Sequence, residues 1–131
     1  MAQLQCIVVT PETTVRDQAA DFVALPLFDG EIGIAPGHSP MIGRLGYGEM
    51  RIRQGNQTTR FYVDGGFVEV AGDVVSVLTN RAVPAEKLDT SVAAEQLASA
   101  QKKPASTPEL MAIRDRHISQ ARAQLRVARR P

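Results

Sequence analysis

The spacing of hydrophobic and polar residues divides the chain into two parts. Up to about residue 83, short apolar runs rich in β-branched and aromatic residues alternate with turn-forming residues such as Gly, Asn and Asp. Such runs are typical of strands, whose side chains point alternately to the two faces of a sheet. They predict strands at residues 4–9, 22–28, 50–53, 60–63, 67–70 and 74–78. Strands this short and closely spaced favour an antiparallel β-sandwich or barrel.

After residue 84 the apolar period approaches the 3.6 residues of a helix. Apolar residues recur near one helical face first at Leu88, Val92 and Leu97, and again at Ile118, Ala121, Leu125 and Ala128. A second helix is expected to begin near residue 106, where a capping hydroxyl, Pro108 and Glu109 follow one another. The chain is therefore predicted to be α+β and mainly β, with an antiparallel β-sandwich at residues 1–84 and a two-helix antiparallel hairpin at residues 85–131.

Composition excludes several classes of protein. The 131 residues are 44% hydrophobic, which is enough to build a core without disulfides. A net charge of +1, the absence of Trp and an aromatic content of 5% argue against a basic, base-stacking nucleic-acid binder. The single Cys6 fits a reducing compartment. Neither a secretory signal nor an apolar run long enough to span a membrane is recognisable.

Charge is distributed unequally between the two parts. Six arginines face nine acidic residues up to Ala85, giving −3, whereas nine basic residues face five acidic ones from Glu86 onward, giving +4. An acidic sheet that carries a basic hairpin suggests two surfaces for two partners. On composition alone, a solvated basic helix without a special partner is the better explanation.

Candidate catalytic and metal-binding groups are scarce. No phosphate-binding loop motif is present, and His38 and His117 lie in different parts without a second ligand at helical spacing. Ser39 follows His38, but no acid is identifiable that would orient the histidine. Cys6 lies within an apolar run and is interpreted as a small core residue. We therefore expect neither a metal site nor enzymatic activity.

One segment is distinctive. Residues 30–40 contain three glycines and two prolines, which predicts a rigid, tightly turned loop from which Glu31, His38 and Ser39 project. A stiff loop loses little entropy on docking and therefore suits a protein contact. Composition alone fits an ordinary corner of a sandwich better.

This segment, G-E-I-G-I-A-P-G-H-S-P, is followed about 25 residues later by Y-V-D-G-G-F-V-E-V, then by Leu88-Asp89 and a final A-Q-L-R-V. The ordered set closely resembles the epsilon subunit of F-type ATP synthases (delta in mitochondria) over nearly the whole chain. The resemblance implies a ten-stranded sandwich with a helical hairpin and no catalytic site. It implies binding to the gamma subunit and the c ring, coupling of proton translocation to ATP synthesis, and a peripheral location on the cytoplasmic face of the bacterial inner membrane.

The resemblance also implies roles for individual residues. Glu31 is expected on the side of the c ring, and residues His38, Ser39, Pro40 and Met41 on the side of gamma. In many bacterial members the helices leave the sandwich, extend along gamma and inhibit ATP hydrolysis. Arg114, Arg122 and Arg126 are then expected to face the catalytic alpha/beta head. The alternative for these arginines is solubility of a surface helix.

Nucleotide binding is expected to be weak or absent. Members that bind ATP resemble L-D-x-x-R-A at the start of the first helix, whereas this chain has Val92 in place of the arginine. A neutral aliphatic side chain cannot neutralise a phosphate, which leaves Asp89, Arg122 and Arg126 as the candidate nucleotide-binding residues. No cofactor is therefore predicted. The alternative function, a free-standing small-ligand or peptide-binding sandwich with a helical lid, predicts a monomer that is indifferent to gamma.

Overall fold

The computed structural model describes residues 2–130, which form eight strands, one 3-10 turn and two helices. The strands are β1 (Leu4–Val9), β2 (Thr14–Ala20), β3 (Phe22–Leu27), β4 (Gly30–Ile34), β5 (Met41–Gln54), β6 (Gln57–Ala71), β7 (Val74–Leu78) and β8 (Ala82–Pro84). The 3-10 turn Ala85–Lys87 leads into α1 (Thr90–Gln101) and α2 (Pro108–Arg129). This confirms the predicted fold class, a mainly β part followed by two helices.

The strands form one sheet in the order β2-β1-β7-β6-β5-β3-β4, with β8 beside β6. All strand pairs within the described residues are antiparallel except β1 and β7, which are parallel, so the prediction of an antiparallel sheet holds with this one exception. Strands β2 and β5 contact each other without being hydrogen-bonded neighbours. The sheet therefore folds over on itself and encloses a core between its two layers.

The two longest strands, β5 and β6, are joined by a tight turn at Gly55-Asn56, as predicted. Their pairing has an irregularity around Gly46 and Gly65. Toward the turn at Gly55, the even-numbered Met50 of β5 and the odd-numbered Phe61 of β6 are buried in the core. Beyond Gly46 and Gly65 the buried residues are the odd-numbered Leu45 and the even-numbered Val68. The set of alternate residues that faces the core therefore changes along each strand. Because each strand has one residue outside the ladder at this point, the register is kept and both strands continue through it.

This interruption of the ladder accounts for one wrong prediction. The sequence predicted separate strands at 60–63 and 67–70 with a turn between them, whereas β6 runs through both. Gly65 and Gly66 have φ values of 71° and 105°, which give the appearance of a turn while the strand continues.

Other strand predictions were incomplete. Strands β2, β4, β8 and the first half of β5 were missed, and residues 30–34 of the predicted loop are the edge strand β4. The eight strands within residues 2–130 also fall short of the ten that the resemblance implied. The division into domains at residue 84 remains a prediction.

The core lies between the layers and is built from aliphatic and aromatic residues of seven strands. Sixteen residues form its buried cluster, among them Cys6 with no exposed surface. Burial, followed by the nearby charge of Asp17, raises the pKa of the Cys6 thiol to about 12. Cys6 is thus a core residue, as its apolar neighbours predicted.

Both helices begin at capped positions. The Asp89 carboxylate accepts hydrogen bonds from the backbone N–H groups of Ser91 and Val92, and the Thr107 hydroxyl accepts one from Leu110. These contacts satisfy N–H groups that a helix start leaves without partners. The predicted start of α2 is therefore confirmed.

The helices pack mainly through small residues. Helix α1 lies on α2 and buries Ala93 and Ala100, whereas the predicted apolar residue Val92 is 47% exposed. Alanines allow two helices to approach closely, so a pattern of large side chains did not identify the contact face. Helix α2 in turn lies on β5, β6 and the 3-10 turn.

Candidate functional site

The edge strand β4 positions Glu31. This residue pairs with Pro26 of β3, while the outer edge of β4 has no neighbouring strand within residues 2–130. The Glu31 side chain is 52% exposed and accepts two hydrogen bonds from the Arg51 guanidinium, at 2.7 and 3.3 Å. The structure thus presents Glu31 on an open edge, held in position by Arg51.

The segment between β4 and β5 carries the other residues assigned to partner contacts. Ser39 and Pro40 are exposed, whereas His38 and Met41 are half-buried, Met41 against the core. The His38 ring nitrogen lies 2.8 Å from the Ser39 carbonyl oxygen rather than from its hydroxyl. His38 and Ser39 are thus not arranged as a nucleophile and its base.

This segment is anchored to a second turn. The backbone N–H of Gly37 donates to the Asp73 carboxylate at 2.7 Å, and Asp73 lies in the turn between β6 and β7. The predicted rigidity of the segment therefore has a structural basis beyond its prolines.

A row of exposed apolar side chains, which was not predicted from the sequence, crosses the outer face of the sheet. The apolar row consists of Phe28, Ile42, Phe67 and Leu78, with exposed fractions of 65%, 75%, 58% and 54%. Phe67 is the register partner of both Leu78 on β7 and Arg44 on β5. The Arg44 guanidinium lies 5.6 Å from the centre of the Phe28 ring. Four large apolar groups that share one exposed face are unusual unless the face binds a partner.

A signal for this row was present in the sequence. In the run Phe67-Val68-Glu69-Val70, alternation places Phe67 on the same face as Glu69, opposite the buried Val68 and Val70. An aromatic residue that shares a strand face with a charged residue is a candidate for an exposed contact.

On the other half of β5 and β6 the outer face is covered by α2. Tyr62 and Ala85 form a small apolar cluster there with Ala123 and Val127. The Tyr62 hydroxyl donates to Asp64 at 3.1 Å, and the Gln120 amide donates to the same carboxylate at 3.0 Å. The docked helix thus combines a little apolar burial with polar contacts.

A cluster of charged residues joins the end of α2 to the sheet. The Glu49 side chain is only 6% exposed and contacts the guanidinium groups of Arg51 at 3.1 Å, Arg60 at 2.6 Å and Arg130 at 2.9 Å. We call these four residues the Glu49 cluster. Burial acts to raise the pKa of Glu49, but the hydrogen bonds from Arg60 and Arg51 and the charges of Arg60 and Arg130 outweigh it, so the pKa lies below its ordinary value.

The predicted nucleotide-binding residues are divided between different places. Arg122 and Arg126 line a polar cavity of about 870 Å³ between α2 and the sheet. Val92 lines a second cavity of about 470 Å³ between the helices. Asp89 caps the start of α1. Arg114, the third predicted arm arginine, contacts its neighbour Asp115 at 3.1 Å.

Within residues 2–130, no group of three or more His, Cys, Asp and Glu side chains lies close enough to hold a metal ion. In the same range, neither helix combines the length and the hydropathy that crossing a lipid bilayer requires.

Comparison with known proteins identifies the class of the chain. Residues 3–85 match the family model for the β-sandwich domain of the ATP synthase delta/epsilon chain. The ATP synthase epsilon chain of Rhodopirellula baltica is 52% identical over 126 residues, which cover 96% of this chain and 98% of that one. The epsilon chain of Granulibacter bethesdensis is 38% identical over 77% of this chain and 76% of that one.

Solved structures share the fold. A chain in the mitochondrial ATP synthase of Euglena gracilis, solved as an OSCP/F1/c-ring complex, matches with a TM-score of 0.85 at 20% identity, over 94% of this chain and 79% of that one. A chain in the central stalk and c-ring structure from Tetrahymena thermophila matches with a TM-score of 0.77 at 13% identity, over 97% of both chains.

The chain belongs to the ATP synthase delta/epsilon family. Like the epsilon chains that it resembles, it is a noncatalytic subunit rather than an enzyme in its own right.

Proposed function

We propose that this chain is the central-stalk epsilon subunit of a rotary ATP synthase, which binds gamma and the c ring and so couples proton translocation to ATP synthesis. The single observation that carries the proposal is the apolar row on a rigid sheet, since a noncatalytic subunit acts through the surfaces that it presents. Support also comes from the epsilon-chain relative that is 52% identical over 96% of this chain.

The apolar row and the segment from His38 to Met41 form the proposed gamma face. Ile42 of the row directly follows Met41, so the row and the segment are continuous along the chain. Exposed aromatic groups on a stiff support lose little entropy on binding and contribute strongly to interfaces. Arg44 lies within the row and supplies a cation among the apolar groups.

The open edge of β4 is the proposed c-ring face. Glu31 offers an exposed carboxylate there, and Arg51 fixes its position. An edge strand with an ordered charged side chain suits the polar loops of a membrane ring. Through this contact the subunit would lie at the cytoplasmic face of the inner membrane without spanning it.

The helical arm, residues 85–131, is the proposed regulatory element. Its net charge of +4 suits an acidic segment of the catalytic alpha/beta head, with Arg114, Arg122 and Arg126 as the contacting residues. In the docked form Arg122 and Arg126 instead line the cavity beside β5 and β6. Both side chains are exposed in the docked form, so release of the arm would change where they lie rather than whether they are exposed.

Binding to gamma tests the proposal. We expect the full-length chain to co-purify with the gamma subunit of the same organism, and Phe67→Ser to weaken the affinity by about 30-fold or more, as for a buried aromatic anchor. Met111→Ser is the matched control, because Met111 is a 44% exposed apolar residue of α2 outside the row. Calorimetric titration measures both.

Two results would contradict the proposal. A full-length chain that stays monomeric and does not bind gamma would favour the free-standing, ligand-binding sandwich. Equal losses of affinity in Phe67→Ser and Met111→Ser would remove the apolar row from the interface.

A further inference from the structure

The contact between α2 and the sheet contains little apolar area. On the helix side the buried residues are Ala121, Ala123, Gln124 and Val127, of which only Val127 is a branched aliphatic residue. Burial stabilises in proportion to apolar surface, and an alanine contributes a single methyl group. Polar contacts therefore have an unusually large share in holding α2 on the sheet.

The charged contacts between α2 and the sheet converge on one carboxylate at the end of the helix. Arg60 on β6 reaches Glu49 on β5 through two nitrogens, Nε at 2.7 Å and Nη2 at 2.6 Å. Arg130, the residue that follows α2, reaches the other oxygen of Glu49 at 2.9 Å. Glu49 thus connects the sheet to the last turn of α2 through charge-assisted hydrogen bonds.

Arg60 also binds the backbone of the helix end. Its guanidinium donates to the carbonyl oxygen of Val127 at 3.0 Å and to that of Arg130 at 3.3 Å. The last carbonyl groups of a helix have no partners within the helix and carry the negative end of its dipole. An arginine of the sheet therefore caps the C-terminus of α2, and it can do so only while the helix is docked.

We propose that the Glu49 cluster is an ionic lock that sets the fraction of molecules in which α2 is docked on the sheet, and that ionic strength releases it. The chemical basis is the charge balance around Glu49, since its carboxylate separates three guanidinium groups. Once its charge is removed, Arg60 and Arg130 repel each other, and Arg130 leaves with the helix end.

The exposure of each side chain to solvent determines how strongly salt weakens its ion pairs. The Arg130 side chain is 56% exposed, whereas that of Glu49 is 6% exposed. Salt therefore screens the Arg130 contact first, and the less exposed Arg60–Glu49 pair persists longer. The regulatory meaning of the lock rests on the proposed function of the arm, but the lock itself is a property of the isolated chain.

Spin labels on the full-length chain test the proposal. Asn56→Cys in the turn between β5 and β6 and Ala112→Cys in the first half of α2 place labels at exposed positions. Cys6 has no exposed surface and stays unlabelled. Pulsed electron resonance then gives the distribution of distances between sheet and helix at low salt and at about 0.5 M NaCl, where the screening length is a few ångströms.

We expect one narrow distance distribution at low salt and a second, separate population at high salt. Glu49→Gln is expected to lower the ratio of docked to undocked molecules about ten-fold or more at low salt, because it leaves charges near the helix end without their partner. Salt should then raise its docked fraction rather than lower it, because salt screens the repulsion between Arg60 and Arg130. Arg130→Gln, which changes an exposed side chain outside the sheet, is expected to give an intermediate ratio.

Asp115→Asn is the matched control, since it also neutralises a carboxylate paired with an arginine but on the exposed side of α2. Near-UV circular dichroism confirms that each variant keeps its packed core. The proposal is overturned if Glu49→Gln and Arg130→Gln keep the wild-type distance distribution and its response to salt. Loss of gamma binding with an intact salt response would instead refute the proposed function and leave the lock standing.

Discussion

The backbone of Gly66 on β6 lies so close to β7 that a Cβ atom at this position would stand 1.9 Å from the carbonyl oxygen of Leu78. Gly66 also has a φ of 105°, which side chains rarely adopt. The close approach holds β6 and β7 together directly beneath Phe67 and Leu78, two members of the apolar row.

Gly66→Ala is therefore expected to destabilise the chain by at least about 3 kcal/mol, since both the backbone angle and the contact must change. Gly55→Ala is the matched control, because Gly55 has a φ of 60° but open space around its Cβ position. Its cost is expected to be about 1 kcal/mol. Urea unfolding measures both, and equal costs would show that the close approach to Leu78 is unimportant.

Acid is expected to destabilise the fold through Glu49. Because the pKa of Glu49 in the folded chain is below its ordinary value of 4.5, its stabilising effect is present above that pH and is lost as the pH falls. The free energy of unfolding of wild type should exceed that of Glu49→Gln at about pH 7. The difference between the two should become smaller as the pH falls to about 3. A constant difference between the two across this range would contradict the assignment.

Nucleotide binding is expected to be absent at physiological concentrations. Calorimetry of the full-length chain with millimolar ATP should give no saturable heat, because Val92 supplies no charge and the candidate arginines line another cavity. If ATP binding is absent because position 92 has no guanidinium, the Val92→Arg variant should give a measurable heat of ATP binding. The Val92→Met variant, which adds no charge, should give none. A micromolar dissociation constant for wild type would contradict this prediction.

Removal of the helical arm is expected to raise ATP hydrolysis in the assembled enzyme. A chain ending at residue 84 should still bind gamma, because the apolar row lies entirely within β5 to β7 and the residue after β3. Reconstitution with gamma and the catalytic head, followed by a hydrolysis assay, compares it with the full-length chain. Retained gamma binding with unchanged hydrolysis would limit the subunit to coupling.

The role of Glu31 is tested separately from that of the apolar row. Glu31→Lys reverses the charge at the open edge and is expected to weaken association with the c ring while leaving gamma binding intact. Glu12→Lys is a suitable control, as Glu12 is an exposed carboxylate in the turn between β1 and β2. ATP synthesis in reconstituted vesicles provides the readout. Equal synthesis in the two variants would remove Glu31 from the coupling surface.

The sequence predicted well those elements in which one face is apolar throughout. Strands β1 and β7 and the start of α2 lie where expected, since their apolar periods and caps are local signals. Strand β2 was missed because its sequence TVRDQAA contains more polar than apolar residues. Its pairing with β1 stabilises it instead, and its position at the edge of the sheet tolerates polar side chains.

The Glu49 cluster illustrates what a single sequence cannot supply. Alternation correctly places Glu49 and Arg51 on the face opposite the buried Met50 and Ile52. That pattern predicts exposure to solvent, whereas α2 covers Glu49 and brings Arg130 to it from 81 positions further along the chain. Contacts between distant elements depend on how those elements pack against each other. The alternation of residues within one strand carries no information about that packing.

The parallel pairing of β1 with β7 has a consequence for synthesis on the ribosome. Gln5 pairs with Val74, so the first strand to emerge must wait for almost 70 further residues before its inner neighbour exists. The sheet can close only after β7 has left the exit tunnel. The helices follow β7 in the chain, and they therefore dock onto strands that have already been made.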